Sequence, residues 1–410
     1  MISRIQALNY KCLRYITQPL SHFHVLVGAN ASGKSTFLDV VAFMRDLLLE
    51  GIEYAVQQRS QTARELVWQQ SEPYFELAVE MRLPMPVGDY TTARYEIRVS
   101  SEETLEVENF WLIRTENGLR RSSEEIPVLF AEEQSTSRAL VTEHGKHSPA
   151  GYRKVMSRNP DGRVYVRSET TDWNFYLRPS RDRAGLTVVP EEEERFQASL
   201  WARQLLTEGV QILQLSAPAM RSPCRPDAPE RFQPDGSNLP IVVDSLRSTH
   251  PQRYDRWLQH IRTVLPEVKE VKCAEREVDR YRYLIIETAT GLRLPSWMLS
   301  DGTLRFLALT LLAYLPQPGA VYFVEEPENG VHPRALEAVY QSLSSVYDGQ
   351  VLCATHSPLL LNLCRPDELL CFARTPSGAT NIVRGDLHPQ LQEWRANISL
   401  GDLLASGVLG

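Results

Sequence analysis

A chain of 410 residues with 43% hydrophobic and 23% charged content has room for two or three domains' worth of core and is not composed like a disordered protein. Its formal net charge of −7 excludes a surface that is basic throughout, though not a local basic groove. No apolar run approaches the roughly 18 residues of a membrane span, and residues 1–6 lack the apolar core of a secretion signal, so no membrane partner is expected and the cytoplasm is the expected compartment. Cys12, Cys224, Cys273, Cys353, Cys364 and Cys371 are scattered without a C-x-x-C pair, which predicts free thiols and no zinc site.

The N-terminus alternates as a strand through Ile2, Ile5, Ala7 and Leu8. Tyr10 and Lys11 follow as candidates to stack on a base and touch a phosphate, against the commoner roles of core tyrosine and solvated lysine. The apolar run Phe23-His24-Val25-Leu26-Val27 then leads into Gly28-Ala29-Asn30-Ala31-Ser32-Gly33-Lys34-Ser35-Thr36, and a helical stripe follows with Phe37, Val40, Val41, Met44, Leu47 and Leu48 on one face. This is a strand, a G-x-x-x-x-G-K-S loop and a helix, an arrangement that cradles a triphosphate. The glycines let backbone N–H groups approach phosphate oxygens. Lys34 is expected to reach the β- and γ-phosphates, and Ser35 to place its hydroxyl on a Mg²⁺ ion shared with the nucleotide.

Beyond the polar stretch 61–70, where Gln69 or Gln70 is a candidate to sense the γ-phosphate through Mg²⁺, residues 74–83, 95–99 and 105–113 alternate as an antiparallel meander. From Arg120 to about Arg231 the pattern is mixed. Short strands surround the turn Asn159-Pro160-Asp161-Gly162, and Glu191 to Glu194 read as a solvated helix start. Pro218, Pro223, Pro226, Pro229 and Pro234 mark an irregular segment, after which Leu246, Tyr254, Trp257, Leu258, Ile261 and Leu265 form one helical stripe. Residues 281–287 and 292–294 read as strands.

Leu299-Ser300-Asp301-Gly302-Thr303 opens an almost wholly apolar, hence buried, helix from Leu304 to Leu315. Ser300 and Gly302 set a hydroxyl and an unobstructed backbone at its N-terminus, which is a phosphate-binding arrangement as well as a simple cap. The run Ala320-Val321-Tyr322-Phe323-Val324 ends in Glu325-Glu326-Pro327. Paired carboxylates at a strand end suit holding Mg²⁺, the role expected of Glu325, and orienting the attacking water as general base, the role expected of Glu326. A further buried run, Val351-Leu352-Cys353-Ala354-Thr355, delivers His356 at its C-terminal end, where open α/β sheets bind ligands and where an imidazole can hydrogen-bond a γ-phosphate.

The order G-x-x-x-x-G-K-S, L-S-D-G-T, E-E-P-E-N-G-V-H-P and A-T-H-S-P resembles the ABC-type ATPases of the RecF, SMC and OLD group, covering residues 1–50 and 290–365. The resemblance implies an α/β P-loop NTPase fold of ABC-ATPase type, with a mixed central sheet flanked by helices, an antiparallel β lobe and an inserted α/β lobe. The expected divisions are residues 1–119 for the N-terminal half of the ATPase head, 120–290 for the inserted lobe and 291–410 for the C-terminal half. It implies ATP and Mg²⁺ as cofactors and an ATP-bound homodimer, or a higher oligomer built from it. In that dimer residues 28–36 bind ATP in cis, Ser300, Asp301 and Gly302 face the γ-phosphate in trans, and His356 is the switch residue. Three departures stand out: Glu325 occurs where aspartate is commoner, Asp301 replaces a signature glycine, and no clear Q-loop is visible.

Roughly 260 residues separate the phosphate loop from the signature helix, far more than a connecting loop needs, which argues against a transporter subunit. The spacer carries strand pairs and prolines in place of a coiled coil, and after His356 only a short hairpin and tail remain, without the D-x-D of a Toprim nuclease. Residues 235–239 and 400–407 also look like those of small ATPases associated with bacterial anti-phage systems. The reading is therefore an ATPase whose nucleotide-driven dimerisation controls a separate effector, a nuclease or toxin, in defence. A RecF-like clamp on DNA, with Arg178, Arg181, Arg183 and Arg221 either forming a groove or scattered in solvent, is the alternative. An ATP-binding scaffold with little turnover is the third.

Overall fold

A computed structural model of the chain describes residues 1–114, 139–142, 148–317, 319–346, 349–392 and 399–405. The end of the tail motif noted above, Ser406 and Gly407, lies outside them. The alternating N-terminal runs build one antiparallel sheet from Ile2–Tyr10 (β1), Leu13–Pro19 (β2), Tyr74–Val87 (β4), Tyr90–Ser100 (β5), Leu105–Arg114 (β6), Tyr152–Arg158 (β7), Val164–Arg167 (β8) and Asn174–Leu177 (β9), in the order β2-β1-β4-β5-β6-β7-β8-β9. The expected meander is there, with β4, β5 and β6 paired antiparallel, and β7 to β9 extend it. Along β4, Phe75, Leu77, Val79 and Met81 enter the core while Glu76 and Glu80 take the other face. That second face is buried too, because Glu76 pairs with Arg98 and Glu80 with Arg94 across the β4–β5 ladder. Residues 140–142 then lie over it: the N–H groups of Leu140 and Val141 donate to Glu76 and that of Thr142 to Glu96. Charges withdrawn from water are tolerated here because partners satisfy them.

A second sheet holds Phe23–Gly28 (β3), Val210–Leu213 (β10), Val321–Glu325 (β14), Gln350–Ala354 (β15), Leu369–Arg374 (β16) and Thr380–Arg384 (β17) in the order β10-β14-β15-β3-β16-β17. All neighbours are parallel except β16 and β17. Near-continuous apolar sequence is what a parallel sheet covered on both faces requires, and its strands feed two cores alternately. Leu26, Val321, Phe323 and Leu352 pack towards the antiparallel sheet through the Lys34–Glu50 helix. Val25, Val27, Tyr322, Val324 and Cys353 pack against helices on the far side. Those helices are Leu239–Thr249, Pro251–Arg262, Asp301–Leu311 and Leu336–Ser344, joined by a small sheet of Val268–Glu275 (β11), Arg282–Thr288 (β12) and Arg293–Pro295 (β13).

The single stripe expected across residues 246–265 is two helices. Pro251 ends the first and starts the second, since it has no N–H to donate and its ring suits only a helix's first turn. The acidic run behaves as read, with Glu193 and Glu194 in the first turn of the Glu193–Gln204 helix. Among the described residues no helix is long and apolar enough to cross a membrane.

Tyr10 is fully buried, its ring 5.1 Å from Phe75 and 5.9 Å from Phe43, and its hydroxyl donates to Asp39 at 2.7 Å. Lys11 also bonds Asp39, at 2.6 Å. Both are therefore tied to Asp39 of the Lys34–Glu50 helix, and Tyr10 takes the core role that is the commoner one for a strand tyrosine. Phe75→Ala should open a cavity in this aromatic cluster and lower stability by about 3–5 kcal/mol, read as an earlier urea midpoint for the full chain.

Candidate functional site

β3 ends in the middle of the parallel sheet, flanked by β15 and β16. The register aligns Glu325 with Ala354 and Ala354 with Leu26, so the loop 28–36, the Glu325–Glu326 pair and His356 leave the sheet side by side. Gly28 has φ 151° and Gly33 φ 107°, in the region that disfavours side chains. A Cβ on Gly28 would fall 2.3 Å from the Phe372 carbonyl oxygen, and one on Gly33 would fall 2.2 Å from Thr380 Oγ1. Thr380 in turn donates its hydroxyl to the Ser32 carbonyl at 2.9 Å. The hairpin β16–β17 thus holds the loop from behind.

The Lys34–Glu50 helix starts without a side-chain cap, which leaves first-turn N–H groups to meet an anion. Lys34 Nζ donates to the carbonyls of Gly28 and Ala29 at 2.8 and 3.0 Å. Burial pushes the ammonium's pKa below its ordinary value, while Glu325 and Glu326 pull it back up. Beside it, Ser35 Oγ donates to Glu325 Oε1 at 2.8 Å, although the two lie in opposite halves of the chain. A hydroxyl and a carboxylate meeting next to a phosphate cradle suit Mg²⁺, a hard cation that takes few protein oxygens and keeps waters and phosphates as its other ligands. Among the described residues no cluster of three or more His, Cys, Asp or Glu is placed to cage a metal alone.

Glu326 has φ 48°, a left-handed backbone that a non-glycine residue adopts under constraint. Its N–H donates to the Ala354 carbonyl at 2.8 Å, its carbonyl accepts from Asn329 N at 3.0 Å, and the Asn329 amide donates to its carboxylate. His356 sits one residue beyond Thr355, whose N–H donates to the Leu26 carbonyl at 3.2 Å. Gln69 and Gln70, with φ 49° and 55°, are also left-handed non-glycine residues.

The signature turn lies on an outer face. Ser300 caps its helix, accepting from Thr303 N at 3.1 Å. Arg221 donates to the Leu299 carbonyl at 3.2 and 3.1 Å and pairs with Asp301, which ties this arginine to the turn. Arg178, Arg181 and Arg183 are exposed. Gly302 is required by close approach, since a Cβ there would fall 2.2 Å from the Gly330 carbonyl oxygen. Just before the turn, Trp297 and Met298 are 51% and 64% exposed. The helix itself runs Asp301–Leu311 and tightens at Leu312–Tyr314.

The structure brings Lys34, Ser35, Glu325, Glu326 and His356 to one edge of the sheet, sets Gly302 against the turn that follows Glu326, and leaves Ser300 and Asp301 exposed beside it. Asn329 and Glu328 were visible only as letters inside E-E-P-E-N-G-V-H-P. Thr380 and Arg221 gave no local signal at all, because each acts on a segment distant in sequence.

Residues 23–362 match the family model described as "AAA domain, putative AbiEii toxin, Type IV TA system". No curated protein matches the chain. Among solved structures, the Smc head bound to the C-winged helix domain of ScpA superposes with a TM-score of 0.54 at 14% identity, over 93% of this chain and 96% of that one. The Smc head with an extended coiled coil, bound to the C-terminal domain of ScpA from Pyrococcus furiosus, gives 0.48 at 12%, over 93% and 95%. The first of these likenesses shows a shared fold. Gly33→Ala should weaken nucleotide binding at least about tenfold, because backbone strain and a collision with Thr380 act together; titration with a fluorescent ATP analogue reads it.

Proposed function

The chain belongs to this AAA-domain family, and from that premise we propose that it is an ATP hydrolase of ABC type, closed by a second copy and coupled to a separate effector. The observation that carries the reading is the Ser35–Glu325 hydrogen bond, which unites a phosphate loop and a carboxylate pair from opposite halves of the sequence. Bound Mg²⁺, held by Ser35 and Glu325, would draw charge from the phosphates.

The residues divide the work. Residues 28–36 wrap the polyphosphate with N–H groups. Lys34, now resting on two loop carbonyls, exchanges them for phosphate oxygens. Glu326 orients a water and takes its proton. Asn329 holds that carboxylate in place. His356 donates to the terminal phosphate. Each interaction strengthens where negative charge develops, which is how positioned donors accelerate phosphoryl transfer.

Closure by a second copy is supported by the signature turn. Ser300 and Asp301 are exposed, and exposed Trp297 and Met298 beside them make an apolar rim suited to burial against another subunit. The family's description, which names a putative toxin of a toxin–antitoxin system, is in keeping with a role in defence.

Glu326→Gln should reduce turnover by about 10² to 10⁴ while ATP is still bound, measured by phosphate release and nucleotide retention. Undiminished hydrolysis would remove Glu326 from the chemistry. Lys34→Ala and Ser300→Arg, each inactive alone, should regain turnover when mixed, since one of the two shared sites is then whole. Mixing without recovery would place Ser300 outside the partner's site.

A further inference from the structure

The chemistry above leaves one acid of the E-E-P-E sequence without a task. Glu325 and Glu326 are exposed, whereas Glu328 is half-buried and reaches the segment that carries the switch histidine. Its Oε1 accepts from the Thr355 hydroxyl at 2.7 Å and from the His356 backbone N–H at 3.2 Å. Its Oε2 is buried without a partner. A carboxylate placed this way is costly, and an anionic acceptor also binds an N–H more strongly than a neutral one does.

The same residue holds a second segment. The Glu328 carbonyl accepts from Val331 N at 3.0 Å, closing the turn whose Gly330 carbonyl abuts Gly302 at the start of the signature helix. Thr355 is fully buried, and its hydroxyl also accepts from Ser357 N at 3.0 Å. Glu328 therefore grips the peptide at His356 on one side and the turn under the signature helix on the other.

We propose that Glu328 is a positioning residue for His356, fixing the Thr355–His356 backbone so that the imidazole is held at the terminal phosphate and tying that segment to the signature turn. The proposal rests on the ATPase reading of the site. Glu328 touches no reacting atom. It acts through His356, and its effect should vanish where His356 is already gone.

The test uses the full chain in four forms: Glu328→Ala, Glu328→Gln, His356→Ala and the double variant Glu328→Ala/His356→Ala. Glutamine keeps a side-chain oxygen for both donors, so Glu328→Gln should stay within about threefold of the parent while Glu328→Ala loses at least about tenfold in kcat. KM for ATP should hold within about threefold for both, since the phosphate loop is untouched. The double variant should turn over no more slowly than His356→Ala, the non-additivity expected of residues acting as one unit. Full turnover in Glu328→Ala, or losses that multiply in the double variant, would overturn the proposal.

Amide hydrogen exchange supplies a readout independent of turnover. Residues 355–361 should exchange faster in Glu328→Ala, with little change in Glu328→Gln and none in the Lys34–Glu50 helix. Unchanged exchange at 355–361 in Glu328→Ala would overturn the positioning role even if turnover fell. A parent protein without turnover would instead remove the ATPase reading, leaving the exchange result to decide what Glu328 holds.

Discussion

The 2.8 Å hydrogen bond from Ser35 to Glu325 is the point on which this molecule turns, because it joins the helix after the phosphate loop to the end of a strand almost three hundred residues away in sequence. Two features of the sheet make it inevitable. β14, β15 and β3 run parallel, so their C-terminal ends share one edge, and their register brings Glu325, Ala354 and Leu26 level. A shift of one residue in either pairing would turn the inward side chains of that strand to the opposite core. The alternation of Val321 and Phe323 against Tyr322 and Val324 between two cores resists such a shift, so apolar packing secures the polar site.

Around that bond the site is closely constrained. Lys34 spends its hydrogen bonds on loop carbonyls, Glu326 stays in a left-handed backbone conformation, and both Gly28 and Gly33 lie where any Cβ would collide with the β16–β17 hairpin. Constraints of this kind are stabilised by what surrounds them, here by the buried strand ends and by Thr380. On the outer side, Arg221 plays the same part for the signature turn, fixing Leu299 and Asp301 and leaving Ser300 exposed.

Much of this was legible in the sequence where one local pattern carried the information. Buried parallel strands read as apolar runs, the phosphate loop read as spaced glycines before Lys34 and Ser35, and the β4–β6 meander read as alternation. Legibility failed where distant segments decide the outcome. Tyr10 reads equally as a core tyrosine or a base-stacking one, and only Phe43, Phe75 and Asp39 decide for the core. The alternating acids of β4 look solvent-facing, yet Arg98 and Arg94 pair with Glu76 and Glu80 across the ladder and the N–H groups of Leu140 and Val141 close over Glu76. The stripe through residues 246–265 keeps its helical period across Pro251, so periodicity alone concealed the break. Glu328 and Thr380 carry no signal of their own because their partners, Thr355 and Ser32, are brought to them by the fold.

The central claim is that Ser35 and Glu325 form one cation site with a polyphosphate between the two halves of the chain. It is tested most directly by calorimetric titration of ATP with and without Mg²⁺, on the parent protein and on Glu325→Ala. The account predicts that Mg²⁺ tightens ATP binding by the parent and that the substitution abolishes most of this gain. Binding by the parent that ignores Mg²⁺, or a gain that survives loss of the Glu325 carboxylate, would contradict it.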